Sequence, residues 1–507
     1  MLAGGAARLE AQQGRTREMT AERMRLAVAD SAYNAGERAL AQRYYASVLE
    51  LNPSNSRAVY QLGQLAADDW ARAVAFFRRY VILEPGDAWG HIALARTLAN
   101  AGRLDDALAE MDAAQRLAPA ERDVWIGRAR ILARANRTDD AIAQYQRWTA
   151  LHPDDAEAWQ ELSQQRAKAG RIPAAISALE KAQARQPSRA TENRLRSLRV
   201  RAAAWTEPIV GGSRDSDGNQ IGRLGLTIGG TYADDMAFDA RGAASRVDDG
   251  TVFSTVYDAN LGARWRPRAT LRAEGHVGIV VPDSTLDGSQ RILPTGELRV
   301  DWRDAGGAAA LALRASRALI AASPTLVRNG VVRNEVGARA DLTVAGPLRI
   351  RALARNAFIT SALERNNRGT LGGGVVVAGS AGEISATMQQ ITFAHPSASG
   401  YFSPHSARLV EGGTYAELES AGGTRLSVDV GAGAQQVTEW GLPAGAWGPA
   451  YHGWTELALP LAPGTELRFE LESYNARIGS EIATTGTWRY VSAALMLHWA
   501  FSDIRKY

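Results

Sequence analysis

Through residues 30 to 200, apolar positions recur three and four apart in helix-length segments; from about residue 221 they alternate one by one with polar positions. The change of period predicts an α + β chain of two domains, helical first and stranded second. In the stranded part, GELRVDWRD puts Leu298, Val300 and Trp302 on one face and Glu297, Arg299, Asp301 and Arg303 on the other. PLRIRALAR sets Leu348, Ile350, Ala352 and Ala354 against Arg349, Arg351 and Arg355. ATLRAEGHVGIV sets Leu271, Ala273, Val277 and Ile279 against Arg272, Glu274 and His276, and TELRFELESY sets Leu467, Phe469 and Leu471 against Arg468, Glu470 and Glu472. The polar face is charged each time, which fits either solvent outside a sandwich or water inside a barrel.

In the helical part, Pro53, Pro85, Pro119, Pro153 and Pro187 follow at intervals of 32, 34, 34 and 34 residues. Each closes a similar phrase, from LELNP to ARQP, and turns fall between two helix-like patterns at Gly102, Asn136 and Gly170. Val59 with Leu62 and Gly63, then Trp125 and Trp159, open the first helix of a pair; His91 takes the place of the tryptophan in the repeat after Pro85. These residues resemble the tetratricopeptide repeat, with its W-x-x-L-G start, small residue at the turn and closing proline. The resemblance implies a superhelix whose concave groove is faced by Arg96, Arg130, Arg134, Gln164 and Lys168, a surface either for docking other proteins or simply for solvent.

The connections of the stranded part alternate in length. Short turns occur at 266–269, 304–307, 345–347, 378–382, 420–424 and 462–465, and longer loops near 234–250, 282–293, 321–330, 360–367, 396–407, 441–449 and 478–485. A Greek-key sandwich has no reason for that rhythm, whereas an antiparallel up-and-down transmembrane β-barrel has tight turns at one end and long loops at the other. The count is 14 strands, or 16 if the loop near 234–250 hides a hairpin. The final stretch YVSAALMLHWAF then turns an apolar face to lipid, with Trp499 and Phe501 in an aromatic girdle. The expected domains are a helical segment at 1–29, about five repeats at 30–203, a linker at 204–220 and the barrel at 221–507.

Composition adds boundaries. The 507 residues include no cysteine, which removes disulfides, thiolate metal sites and cysteine catalysis. Residues 1–206 carry 30 basic and 24 acidic side chains and residues 207–507 carry 28 and 30, so the two parts differ in sign while the whole, at +4, is too weakly basic for nucleic acid. The opening MLAGGAARLEAQQGRTREMT has no apolar core of a signal peptide, which leaves a misassigned start, a fragment, or a stranded part that is not a membrane barrel.

Tetratricopeptide repeats followed by a terminal barrel resemble the outer-membrane exopolysaccharide export porins, of the cellulose synthase outer-membrane subunit and poly-N-acetylglucosamine porin type. Gly400, Tyr401, Phe402, Ser403 and Pro404 are similar to the GY[YF]SP phrase in the barrel of the cellulose subunit. The repeat arm is much shorter here than in that subunit. The resemblance implies a barrel in the outer membrane of a Gram-negative bacterium with its repeats in the periplasm. It also implies export of a polysaccharide, with partners among the periplasmic proteins of a synthesis and modification machine.

No catalytic motif is found: H-E-x-x-H, G-x-x-x-x-G-K-[ST] and G-x-S-x-G are all absent, so neither an enzyme nor a cofactor is expected. His276 and His498 fall on polar strand faces. DSDGNQ, with Asp215, Asp217 and Asn219, is similar to a calcium loop but lacks its glycine and distal glutamate in place, and reads as a polar linker. The predicted lumen is lined by Arg272, Glu274, Arg299, Asp301, Arg303, Arg349, Arg351, Arg355, Arg468, Glu470 and Glu472, and its expected role is export of a hydrophilic polymer. The alternative is an envelope scaffold, adhesin or surface receptor with a plugged barrel and outward loops.

Overall fold

The structure, a computed structural model, describes residues 3–283, 291–479, 482 and 488–501, with side chains from residue 19 onward. It divides into two compact units, Met1–Gln165 and Arg166–Tyr507.

The first unit is a run of antiparallel helix pairs. α1 (Ala3–Asn34) packs on α2 (Arg38–Leu51), α3 (Ser56–Leu65) on α4 (Trp70–Leu83), α5 (Ala88–Asn100) on α6 (Leu104–Leu117) and α7 (Arg122–Arg134) on α8 (Thr138–Leu151), with most of α9 (Ala156–Lys168) following. Asn55, Asp69 and Asp87 cap α3, α4 and α5 by accepting from backbone amides of the first turn. The turns inside pairs need left-handed backbone, and Gly102 (φ +79°) and Asn136 (φ +57°) supply it. Pairs share one core through residues such as Tyr45, Leu94, Leu98, Leu132 and Leu162, all buried. The repeating tryptophan closes each phrase onto the next helix, since Trp125 Nε1 donates to the Pro119 carbonyl at 2.7 Å and Trp159 Nε1 to that of Pro153 at 2.9 Å. His91, at the same place in the preceding repeat, pairs instead with Glu110 at 2.7 Å.

The second unit opens with α10 (Ile172–Arg185) and α11 (Arg189–Ala202) and continues into sixteen antiparallel strands, each paired with its sequence neighbours, closed by β1 (Trp205–Asp215) on β16 (Tyr490–Ala500). The upper of the two expected counts is therefore the right one. The two added strands lie where a linker and a loop were expected. Residues 204–220 hold β1 and its turn into β2 (Gln220–Thr231), and 234–250 hold β3 (Met236–Asp248). Both were hidden for a physical reason: β1 contains Pro208, Gly211 and Gly212, and the middle of β3 is alanine and glycine, so neither keeps large apolar residues at every second position along its length. Ladder hydrogen bonds from both neighbours hold them all the same. DSDGNQ is the β1–β2 hairpin turn, in which the Asp215 carboxylate accepts from the Asp217 and Asn219 amides and from Asn219 Nδ2.

Strand faces sort as alternation predicts. Outside, Leu224, Leu261, Val277, Leu371 and Ile384 are between 64% and 68% exposed, far too apolar a belt for water. Trp265, Trp302, Trp499 and Phe501 border that belt at the short-turn end, and Phe253, Tyr257, Phe358 and Tyr451 border it at the long-loop end. At the short-turn end α10 is tied to the barrel: the Ala174 amide donates to Asp234 at 2.6 Å, and Arg171 donates to the Pro267 carbonyl at 3.1 Å. No described helix is long and apolar enough to cross a membrane.

Candidate functional site: the barrel lumen

A ring of sixteen strands encloses an interior wide enough for water, and side chains opposite the apolar belt fill its wall. All of the residues expected to line it take the inward face. On β5 (Leu271–Pro282) Arg272 donates to Glu274 at 2.6 Å, and on β6 (Leu293–Arg303) Arg299 donates to Asp301 at 3.0 Å. On β9 (Leu348–Thr360) Arg351 bridges Asp341 of β8 (Val332–Ala345) at 2.6 Å and Glu383 of β11 (Gly382–Phe393) at 3.1 Å. Arg303, Arg349 and Arg355 have no ion pair among the described residues. On β15 (Thr465–Tyr474) Arg468 reaches over β16 to Glu207 of β1. Glu470 accepts from Trp454 Nε1 at 2.6 Å, on β14 (Gly448–Ala462), and Glu472 from Ser492 Oγ at 3.4 Å.

Sequence reasoning missed several inward groups. Glu207 was lost in the supposed linker. Arg223 of β2 pairs with Asp258 of β4 (Phe253–Arg268) at 3.1 Å, and Arg368 of β10 (Arg365–Ala378) pairs with Glu335 of β8 at 2.7 Å. His452 of β14 sits between Glu411 of β12 (Ser406–Glu419) at 2.9 Å and Asp429 of β13 (Arg425–Thr438) at 3.3 Å. Alternation carried the signal for Arg223 and Arg368; the His452 group is visible only once the strands are in register.

The long-loop end is filled. Between β7 (Ala309–Leu319) and β8 the chain turns inward through a short helix, α12 (Pro324–Arg328), whose Val327 packs on inward Val247, Val256 and Val280. Leu326, Tyr401, Phe402, Ile482 and Trp488 join inward Ile359, Ile391 and Phe393 in one buried cluster. β7 and β15 stand eight places apart in a ring of sixteen, so this cluster spans the lumen. The GYFSP phrase thus lies in the plug, where Arg477 stacks over the Phe402 ring at 4.7 Å and Trp440 Nε1 donates to the Ser403 carbonyl at 2.7 Å. Asn329 donates to the Ser399 carbonyl at 3.0 Å, and Glu364 accepts from Ser397 Oγ at 2.7 Å and the Ser399 amide at 2.8 Å. Burial pushes the Glu364 carboxyl up, but the Ser397 hydroxyl and the Ala398 and Ser399 amides outweigh it and hold it below its ordinary range. Two buried groups of the plug, Tyr401 OH and Trp488 Nε1, have no hydrogen-bond partner among the described residues.

Of the expected groove residues in the first unit, Arg130 donates to Glu157 and Glu161 of α9 at 2.7 and 2.8 Å, and Arg134 to the Ala99 carbonyl at the end of α5 at 2.7 Å. Both are occupied in joining neighbouring repeats. Arg96 lies 3.9 Å from Asp123, and Gln164 is exposed; Lys168, in the second unit, is exposed as well. Asp155 is a stronger junction: its carboxylate accepts from Arg122 of α7, Trp148 of α8 and the Ala158 amide of α9.

A family model described as the tetratricopeptide repeat matches residues 26–88, 92–156 and 139–190. These helix pairs are TPRs. No curated protein matches the sequence. Among solved structures, one described as a bacterial polysaccharide outer membrane secretin is similar at 11% identity, over 60% of this chain and 99% of that one, with a TM-score of 0.45. YrrB, described as a TPR protein with an unusual peptide-binding site, is similar at 20% identity over 34% of this chain and 89% of its own (TM-score 0.31). A thermophilic TPR protein of Thermus thermophilus is similar at 22% identity over 35% of this chain and 98% of its own (TM-score 0.28).

Proposed function

We propose that the chain is an outer-membrane porin of a Gram-negative bacterium that exports a hydrophilic polymer, a polysaccharide, through the barrel, with its TPRs in the periplasm docking partner proteins. It carries out no catalytic step and uses no cofactor. The observation that supports this most is the opposition of two faces of one wall: Leu471 and Phe469 are 44% exposed on the outside, while Arg468, Glu470 and Glu472 alternate with them on the inside. Lipid outside and water inside is the solvent pair that such alternation satisfies. Mixed guanidinium and carboxylate groups hydrogen-bond sugar hydroxyls in many equivalent ways, so a chain can slide from one to the next.

The filled outer mouth favours a second reading, a closed barrel serving as scaffold, adhesin or receptor. On the export reading the plug is the resting state. In a native host deprived of this protein, polymer should accumulate in the periplasm, and the full chain, fractionating with outer membranes and running faster unheated than boiled, should restore release. Undiminished release without it would overturn the proposal.

A further inference from the structure

The charges of the lumen are not mixed evenly around the ring. On β9 and β10 the inward ionised residues are all arginine, Arg349, Arg351, Arg355 and Arg368. On β12 to β15 carboxylates outnumber the other inward ionisable residues, among them Glu411, Asp429, Glu456, Glu470 and Glu472, with Arg425 and Arg468 the guanidiniums among the described residues there and His452 held between Glu411 and Asp429. The division is sharpest mid-strand, at two direct cross-strand pairs. Arg299 of β6 stands in register with Arg314 of β7, and Glu456 of β14 with Glu470 of β15.

Like charges directly opposite across a ladder destabilise a sheet, and here both signs occur, each on its own wall. The two pairs are eight places apart in the ring of sixteen, so they face each other across the lumen. Arg299 and Arg314 are partly offset by Asp301 and Glu297, whereas Glu456 has no ion pair among the described residues and Glu470 accepts only an indole N–H. A solute that brought cationic groups to one wall and anionic groups to the other would relieve both repulsions at once; a neutral or singly charged chain would relieve at most one.

We infer that the lumen carries a transverse field and is matched to a polymer bearing both cationic and anionic groups, such as a sugar chain with free amines and carboxylates. This rests on the export reading for its context but makes a claim about the wall alone. The test is isothermal titration of the full chain in detergent micelles, at low salt. Four oligosaccharide probes are used: carboxymethyl chitosan (both charges), chitosan (cationic), oligogalacturonate (anionic) and cello-oligosaccharide (neutral). The mixed probe should bind at least about tenfold tighter than each of the others.

Glu456→Gln with Glu470→Gln should abolish the advantage over oligogalacturonate, and Arg299→Gln with Arg314→Gln the advantage over chitosan. Glu456→Asp with Glu470→Asp should retain the preference, which separates charge from damage to the wall; unchanged heat-dependent gel mobility checks folding. Equal binding of neutral and mixed probes, no binding of any probe, or equal losses for all probes in both variants would overturn the inference. Preferential binding of the mixed probe with no polymer retention in cells lacking the chain would leave the divided lumen standing and remove the export reading instead.

Discussion

Ser361 Oγ and Ser399 Oγ lie 2.7 Å apart, joining the β9–β10 turn at the rim to the loop that carries GYFSP into the lumen. Because the chain has no cysteine, Ser361→Cys with Ser399→Cys would introduce one disulfide and no competing thiol. Under oxidising conditions it should hold the loop in the mouth and lower polymer release, with recovery on adding reductant. Release that ignores the redox state would mean that this loop does not move for passage.

The assignment of strand faces predicts a difference between adjacent residues. Phe469→Arg places a guanidinium in lipid and should lower barrel stability by about 2–4 kcal/mol if it sits near the midplane. Glu470→Arg, one residue on and facing water, should fold in comparable yield. Folded barrel recovered from urea, read by gel mobility, distinguishes them; equal losses would contradict the register.

Ion selectivity should follow the basic wall. Arg349 and Arg355 have no ion pair among the described residues, so Arg349→Glu with Arg355→Glu changes field without breaking a bridge, unlike a change at Arg351. Once the plug is opened, reversal potentials should shift towards cations at low salt and less so near 1 M, where screening shortens to about 3 Å. An open channel indifferent to the reversal would place those arginines off the ion path.

The TPR unit should depend on acid through Asp155. Burial pushes this carboxyl up, but hydrogen bonds from Arg122, the Ala158 amide and Trp148, with the Arg122 charge, outweigh it and hold the pKa at about 2. A depressed folded value stabilises the fold fully above the ordinary carboxyl pKa and ceases to do so as pH falls through about 2. Arg122 is partly exposed, so the contribution is on the order of 1–2 kcal/mol. Asp155→Asn should lower the melting temperature of the repeats at pH 7 and make little difference near pH 2; an equal loss at both would indicate lost packing instead.

Much of this architecture was legible because each half repeats one rule. The proline interval and the tryptophans six residues after Pro119 and Pro153 are local signals, and the structure uses them locally, as Trp125 on Pro119 and Trp159 on Pro153. The inward face of β6, β9 and β15 was legible for the same reason, since alternation in one strand fixes both faces. What was not legible depends on partners distant in sequence. β1 is held by β2 and β16 in spite of Pro208 and its glycines, and the plug forms because loops more than a hundred residues apart, at Leu326 and Trp488, meet inside the ring. The pairing of Arg130 with α9, where a free groove was expected, likewise needs the next repeat in place.

Passage through the lumen is tested most directly by blocking one face of one strand. In the cysteine-free chain, Glu470→Cys and Phe469→Cys offer a single thiol on the inner and outer face of β15. Each variant, in the native host, is treated with a bulky methanethiosulfonate reagent and the polymer released to the medium is measured. Labelling at 470 should lower release, reductant should restore it, and labelling at 469 should have little effect. Unaltered release from a fully labelled Glu470→Cys barrel, or the same loss from both positions, would contradict export through this lumen.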